Sequence, residues 1–148
     1  MALLYTQYIF DMKISKNFAT EEFFYSSVAR SEGFCNYPPK DEEEKVISNI
    51  GSLVSNVLQP LRDKLGIPIH VNSGYRCKEL NNVLNGVGNS QHLYGLAADI
   101  TCVELRRCFD ILCQEIEFDQ LIYYVKRGFI HVSYVSIKAN RRQIIIKR

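Results

Sequence analysis

Residues 90–101 read SQHLYGLAADIT, and the run from Leu96 to Thr101 decides how the rest of the chain is parsed. It is a short apolar stretch entered through a glycine, the pattern of a buried strand, and Ala97 and Ala98 permit close packing there. Asp99 stands in the middle of it. A carboxylate buried in such a strand costs several kcal/mol unless a cation meets it. Gly95 lets the chain turn between Asp99 and His92. Upstream the period is helical. Thr20 reads as an N-cap with Glu21 and Glu22 in the first turn, and the helix carries Phe23, Phe24 and Val28 inward before stopping at Gly33. A second, longer helix opens at Asp41 with Glu42, Glu43 and Glu44. Val46, Ile50, Leu53, Val54, Val57, Leu58, Leu61 and Leu65 then recur at three and four residues and make one apolar face. Pro60 should kink or break it, and Gly66 ends it.

Beyond Gly66 the period changes to two. Ile67, Ile69 and Val71 alternate as in a strand, which puts His70 on the solvent side. SGYR follows, then a short helix around Lys78 to Leu84, the glycine-rich loop NGVGNS and the strand around Asp99. Val103 to Gln114 is helical by pattern. Gln120–Val125, Phe129–Tyr134 and Gln143–Lys147 read as three further strands, expected to be antiparallel. Helices dominate the first half and strands the second, which predicts an α+β fold, a central antiparallel sheet packed by helices.

The chain has 148 residues, the size of one domain, and residues 1–148 are read as one. A hydrophobic share of 47% with 23% charged residues excludes a disordered tail, a collagen-like repeat and a disulfide mini-protein. Lysine and arginine total 18 against 16 acids, a balance too even for a nucleic-acid binder. No apolar stretch approaches the roughly 20 residues that span a bilayer. The opening MALLYTQYIFDMK lacks a basic region before its apolar run, is interrupted by Gln7 and Asp11, and leads to no small-residue cleavage site. The expectation is a protein made in the cytoplasm without a signal peptide. The five cysteines form no C-x-x-C pair, in keeping with a reduced protein.

Three histidines make placement informative. His92 and Asp99 flank the turn at Gly95, and His131 lies in FIHVSY, where Phe129, His131 and Ser133 share one face. One reading is a metal site of His92, Asp99 and His131. Two imidazoles and a carboxylate leave a fourth tetrahedral position open, as in catalytic zinc. Such a site makes water acidic and polarises a carbonyl, the two needs of peptide hydrolysis. The other reading pairs Asp99 with an arginine and leaves both histidines as core or surface groups. Lys138, Arg141, Arg142, Lys147 and Arg148 make the C-terminal end basic. They either attract anionic polymers or discourage sheet pairing at an edge.

The combination SGYR (73–76), LNNVLNGVGNSQHLYGLAADI (80–100), FDQLIYY and FIHVSY resembles the zinc-dependent D-alanyl-D-alanine carboxypeptidase family, which includes cell-wall peptidases and phage endolysins. The likeness covers nearly the whole chain. KISKNFATEEFFYSSVA and VLQPLRDKLGIPI also read like its short, single-domain subgroup. The resemblance implies the D-Ala-D-Ala carboxypeptidase/Hedgehog-like fold, Zn2+ as cofactor, and His92, Asp99 and His131 as ligands. Arg76 matches the arginine of SGYR, a group able to clamp a carboxylate or stabilise charge on the attacked carbonyl. Ser90 and Gln91 either bind substrate or support the ligand loop, Ser90 as a cap.

The general base departs from the family pattern. Where relatives place an acid or histidine just before the last ligand, this chain has Gly128 and Phe129. Where the subgroup commonly ends its FDQLIYE-like strand in glutamate, this chain has Tyr124. A phenol, with an ordinary pKa of about 10, is a poor base at neutral pH, though it can donate to a carbonyl. Asp119 is the other candidate, as base or as a structural group. The expected function is a zinc peptidase cutting stem or cross-bridge peptides of bacterial peptidoglycan, as a monomer, at the wall after release or delivery from a phage or prophage setting. The alternative is a zinc-containing wall-binding or phage structural module without catalysis, since fold does not guarantee chemistry.

Overall fold

A computed structural model describes residues 12–148. The expectation about a leader at the N-terminus falls mostly outside the described residues. The chain runs through α1 (Thr20–Phe24), α2 (Ser27–Glu32), α3 (Glu43–Leu53), a π-helical segment (Val54–Leu58) and α4 (Gln59–Leu65). There follow β1 (His70–Ser73), α5 (Lys78–Val83), a 3-10 turn (Gln91–Tyr94), β2 (Ala97–Thr101), α6 (Leu105–Glu115), β3 (Gln120–Tyr124), β4 (Phe129–Ser133) and β5 (Gln143–Lys147). The α+β class is as the sequence predicts.

Local signals explain several departures from the sequence reading. Ala19, in place of Thr20, occupies the N-cap position of α1; its N–H donates to the Glu22 carboxylate at 2.7 Å while the Thr20 hydroxyl donates to Met12 O. The helix then breaks at Tyr25, and Ser26 caps α2 by accepting from the Ala29 N–H. Asp41 lies in a turn, and α3 starts after Glu42. Pro60 does not break the helical run, which continues from Glu43 to Leu65. The π segment just before it lets the Gln59 N–H reach Val54 O, so the ladder is re-registered where proline has no donor.

The sheet order is β1-β2-β4-β3-β5. β1–β2, β2–β4 and β4–β3 are antiparallel, as expected, but β5 pairs parallel to β3. β4 already has β2 on one side and β3 on the other, so the chain leaving Ser133 can join only an outer edge of the sheet, and it takes the nearer one, that of β3. It crosses the start of β3 and therefore runs in the same direction as β3.

Alternation along the strands sorts the two faces. Ala98, Ile100, Leu121, Ile130 and Val132 are fully buried and point towards Leu53, Val54, Val57, Leu58, Leu61 and Leu112 of the helical layer. The opposite face carries Asp99, His131, Ile122, Tyr124 and Phe129. Cross-strand register places Asp99 opposite His131 and Tyr124 opposite Phe129. His70 on β1 is exposed, as the alternation predicted.

Candidate functional site

The polar face of the sheet forms the floor of a cleft of about 750 Å³, walled by the loop 84–92 and by Arg76. That volume suits a small peptide. His92, Asp99 and His131 meet here: their donor atoms lie within 4.8 Å of one another. β2 and β4 supply Asp99 and His131 as a register pair, and the 3-10 turn, closed by Gly95 at φ 73, swings His92 back over them. An irregularity in β1 between Val71 and Ser73 brings Ser73 opposite Asp99. Arg76 then bridges the two, with Nη2 3.0 Å from Asp99 Oδ2 and Nε donating to Ser73 Oγ at 3.1 Å.

The SGYR loop is pinned from several sides. Asn36, buried, donates to Phe24 O and Tyr75 O and accepts from the Cys77 N–H. Tyr75 N–H donates to Phe23 O at 2.8 Å, and Arg76 N–H to His92 O at 2.9 Å. These bonds fix Gly74 O, which takes a 2.7 Å hydrogen bond from His92 Nδ1. A carbonyl only accepts, so Nδ1 carries the proton and neutral His92 presents the lone pair of Nε2. That lone pair faces Asp99 Oδ1 at 3.3 Å, and His131 Nδ1 lies 3.0 Å from the same oxygen.

The electrostatics sharpen this arrangement. Burial pushes the His92 pKa down; Asp99 opposes that shift, while Arg76 and His131 add to it. Burial would raise the Asp99 pKa, yet the adjoining imidazoles, that of His131 first, hold it well below the carboxylate range. A neutral imidazole acceptor against an ionised carboxylate oxygen is a repulsive pair, and a cation between them resolves it. Ligands about 2.0–2.1 Å from a tetrahedral zinc lie about 3.3 Å from each other; His92 Nε2 and His131 Nδ1 lie 3.3 and 3.0 Å from Asp99 Oδ1, with all three donors within 4.8 Å. The donor set therefore fits zinc, and Arg76 on the other carboxylate oxygen acts from behind.

Asp119 was a candidate base, and its surroundings argue against that role. It is 2% exposed, and its oxygens accept from Gln91 Nε2 at 2.8 Å, the Arg141 N–H at 2.8 Å, and Arg141 Nη2 and Nε at 2.7 and 3.1 Å. Burial raises its pKa, but the Arg141 and Gln91 hydrogen bonds outweigh it and bring it to about 2. A carboxylate so saturated is a weak proton acceptor. Its main-chain N–H donates to Ser133 O and its carbonyl accepts from the Gln143 N–H, so the residue ties β4, β3 and β5 together and holds Gln91 next to His92.

Gln91 accordingly spends its amide N–H on Asp119. Ser90 Oγ accepts from the His92 N–H at 3.3 Å, the loop-capping role. Tyr124 lines the cleft, its ring stacked on Phe129 at 4.4 Å with 16° between planes. Sequence reading assigned no site role to Arg141, Arg127, Asn36 or Gly74. Arg141 and Lys147 carried a signal, as basic residues in the terminal strand region, but nothing local tied Arg141 to Asp119.

All five cysteines are free thiols. Among the described residues no helix is long and apolar enough to cross a membrane. A family model described as peptidase M15 matches residues 16–133. No curated protein matches the chain.

Proposed function

Because the chain belongs to the M15 peptidase family of zinc peptidases, we propose that it hydrolyses peptide bonds in the stem or cross-bridge peptides of bacterial peptidoglycan, as a D,D-carboxypeptidase or an endolysin-type endopeptidase. The observation that carries this reading is the unresolved acceptor pair of His92 Nε2 and Asp99 Oδ1, with His131 Nδ1 beside it, at the floor of an open cleft. His92, Asp99 and His131 would hold zinc, which supplies Lewis acidity towards a carbonyl and a water nucleophile.

The protein's own groups do the rest. Arg76 orients Asp99 through its 3.0 Å bond to Oδ2, and its guanidinium edge lines the cleft where a substrate carboxylate or carbonyl oxygen would lie. The Gly74 carbonyl fixes the tautomer of His92. Asp119 and Arg141 anchor Gln91 and so the loop that bears His92. Tyr124 donates its hydroxyl to the substrate from the cleft wall. Bacterial wall as the place of action, and release from a phage or prophage, belong to the same proposal.

A second reading is a zinc-bearing module that holds wall peptides without cutting them. One observation favours it: among the described residues lining the cleft, Asp99 is the single carboxylate, so no free acid is in place to shuttle a proton. Purified sacculi incubated with zinc-loaded protein, with the His131→Ala variant and with a chelated control separate the two. Peptide fragments released only by the zinc-loaded form, identified by mass spectrometry, establish the peptidase and name the bond. Zinc binding with no new fragments from several wall types leaves the binding module.

A further inference from the structure

The cleft extends past the metal donors to an aromatic platform that carries two cations. Tyr124 of β3 and Phe129 of β4 are a register pair with rings stacked at 4.4 Å. Arg127, in the turn between these strands, sets its guanidinium carbon 5.0 Å from the Phe129 centroid and 5.5 Å from that of Tyr124. Lys147 of β5, in register with Tyr124, places Nζ 5.1 Å from the Tyr124 ring. All four side chains line the cleft. Each cation lies within the roughly 6 Å of a ring centroid over which an aromatic face attracts it.

Their charge is not neutralised. Asp99, the one carboxylate lining the cleft among the described residues, is bonded to Arg76, and Asp119 is bonded to Arg141. Arg127 and Lys147 make no ion pair with any described residue. Two unpaired cations from different elements therefore converge on one aromatic pair inside the cleft, an arrangement that recognises an anion. Phe129 stands two residues from His131 along β4, about 7 Å, or about two residues of an extended peptide.

We propose that Arg127 and Lys147, held against Tyr124 and Phe129, form a subsite for a carboxylate borne by the bound peptide about two residues from the metal centre. This rests on the reading above that the cleft binds peptides, and it names their class: acidic peptides. Lys147 lies beyond residues 16–133, so half of the subsite is outside the stretch that the family model matches.

The test uses alanine tetrapeptide amides with one glutamate at each of the first three positions in turn, as L and as D residue, against the matching glutamine peptides. Calorimetric titration into zinc-loaded protein at low salt should show, at the best position, at least about tenfold tighter binding of the glutamate peptide. That preference should fall below about twofold in Arg127→Gln/Lys147→Gln and in ionic strength well above 0.1 M, where the Debye length is under about 10 Å. Lys147→Met, a change at an exposed strand position, carries the test if the double variant does not fold. Equal binding within each pair, binding of no peptide, or a preference that survives the substitutions overturns the subsite. Failure of the peptidase reading looks different: sacculi stay intact while the glutamate preference persists.

Discussion

Replacing Asp119 by asparagine isolates the charge that ties the sheet to the loop bearing His92. The carboxylate is buried and accepts from Gln91 and from the backbone and guanidinium of Arg141. Burial alone would raise its pKa, but those hydrogen bonds bring it from 3.8 to about 2. A carboxylate with a lower pKa folded than unfolded stabilises the fold when ionised. The contribution is complete above the unfolded value and is lost as pH falls through the folded one. The interval corresponds to about 2 kcal/mol at neutral pH, and to about half of that at pH 3. Asparagine mimics the protonated acid and turns an NH2 towards groups that are themselves donors. The Arg141 side chain is 55% exposed, so water re-solvates it and no stranded buried ion enlarges the loss. In a chain of this size about 2 kcal/mol lowers Tm by about 4–8 °C. Thermal unfolding of wild type and Asp119→Asn at pH 7 and pH 3 reads this directly. The gap should halve at the lower pH. A gap under about 1 °C at pH 7, or an equal gap at both, refutes the reasoning. Lost turnover at unchanged Tm would instead make Asp119 the proton acceptor.

Two further changes probe the metal loop. A Cβ on Gly74 would lie 2.6 Å from Phe23 Cα and 2.7 Å from Phe23 O, and main-chain atoms cannot step aside. Gly74→Ala should destabilise by about 1–3 kcal/mol and weaken zinc binding through the displaced Gly74 carbonyl, measured by urea unfolding and by competition with a chelator. An unchanged urea midpoint would refute it. Asp99→Asn keeps the shape of the ligand and removes its charge. Zinc per chain after gel filtration, by elemental analysis, should drop from near one to below about a tenth at micromolar metal. Full occupancy in the variant would remove Asp99 from the ligand set.

What the sequence disclosed depended on how local each signal is. The strand around Asp99 could be read because four apolar neighbours and one carboxylate sit within six residues, and alternation alone put His131 on a face with Phe129. The α+β layering followed from the change of period at Gly66. The direction of β5 could not be read, since it depends on which strand edges are already occupied. The break at Tyr25 depends on Ser26 competing as a cap, a contest between two helix starts that pattern alone does not decide. The partnership of Asp119 and Arg141 spans 22 residues and exists only because β5 comes to lie beside β3. The sequence therefore left Asp119 open as a base or as a structural group, and in the fold its carboxylate is saturated by Gln91 and Arg141.

That partnership bears on where the functional unit ends. The family pattern stops at residue 133, with His131, the last of the proposed metal donors, just inside it. Asp119 also lies inside it, 2% exposed, and the guanidinium that offsets its burial comes from Arg141, outside it. Without the segment beyond Ser133, Asp119 would be a carboxylate facing only Gln91 among its side-chain donors, and protonation or exposure would be the cheaper states. Either outcome loosens Gln91, and Gln91 adjoins His92 in the one turn whose geometry depends on Ser90, Gly95 and the Gly74 carbonyl. The segment leading into β5 thus supports the proposed metal centre without offering it a ligand, through a charge placed at the start of β3. β5 itself carries Lys147 to the far end of the cleft. A segment outside the recognisable motif both steadies the turn that bears His92 and lines the proposed peptide cleft.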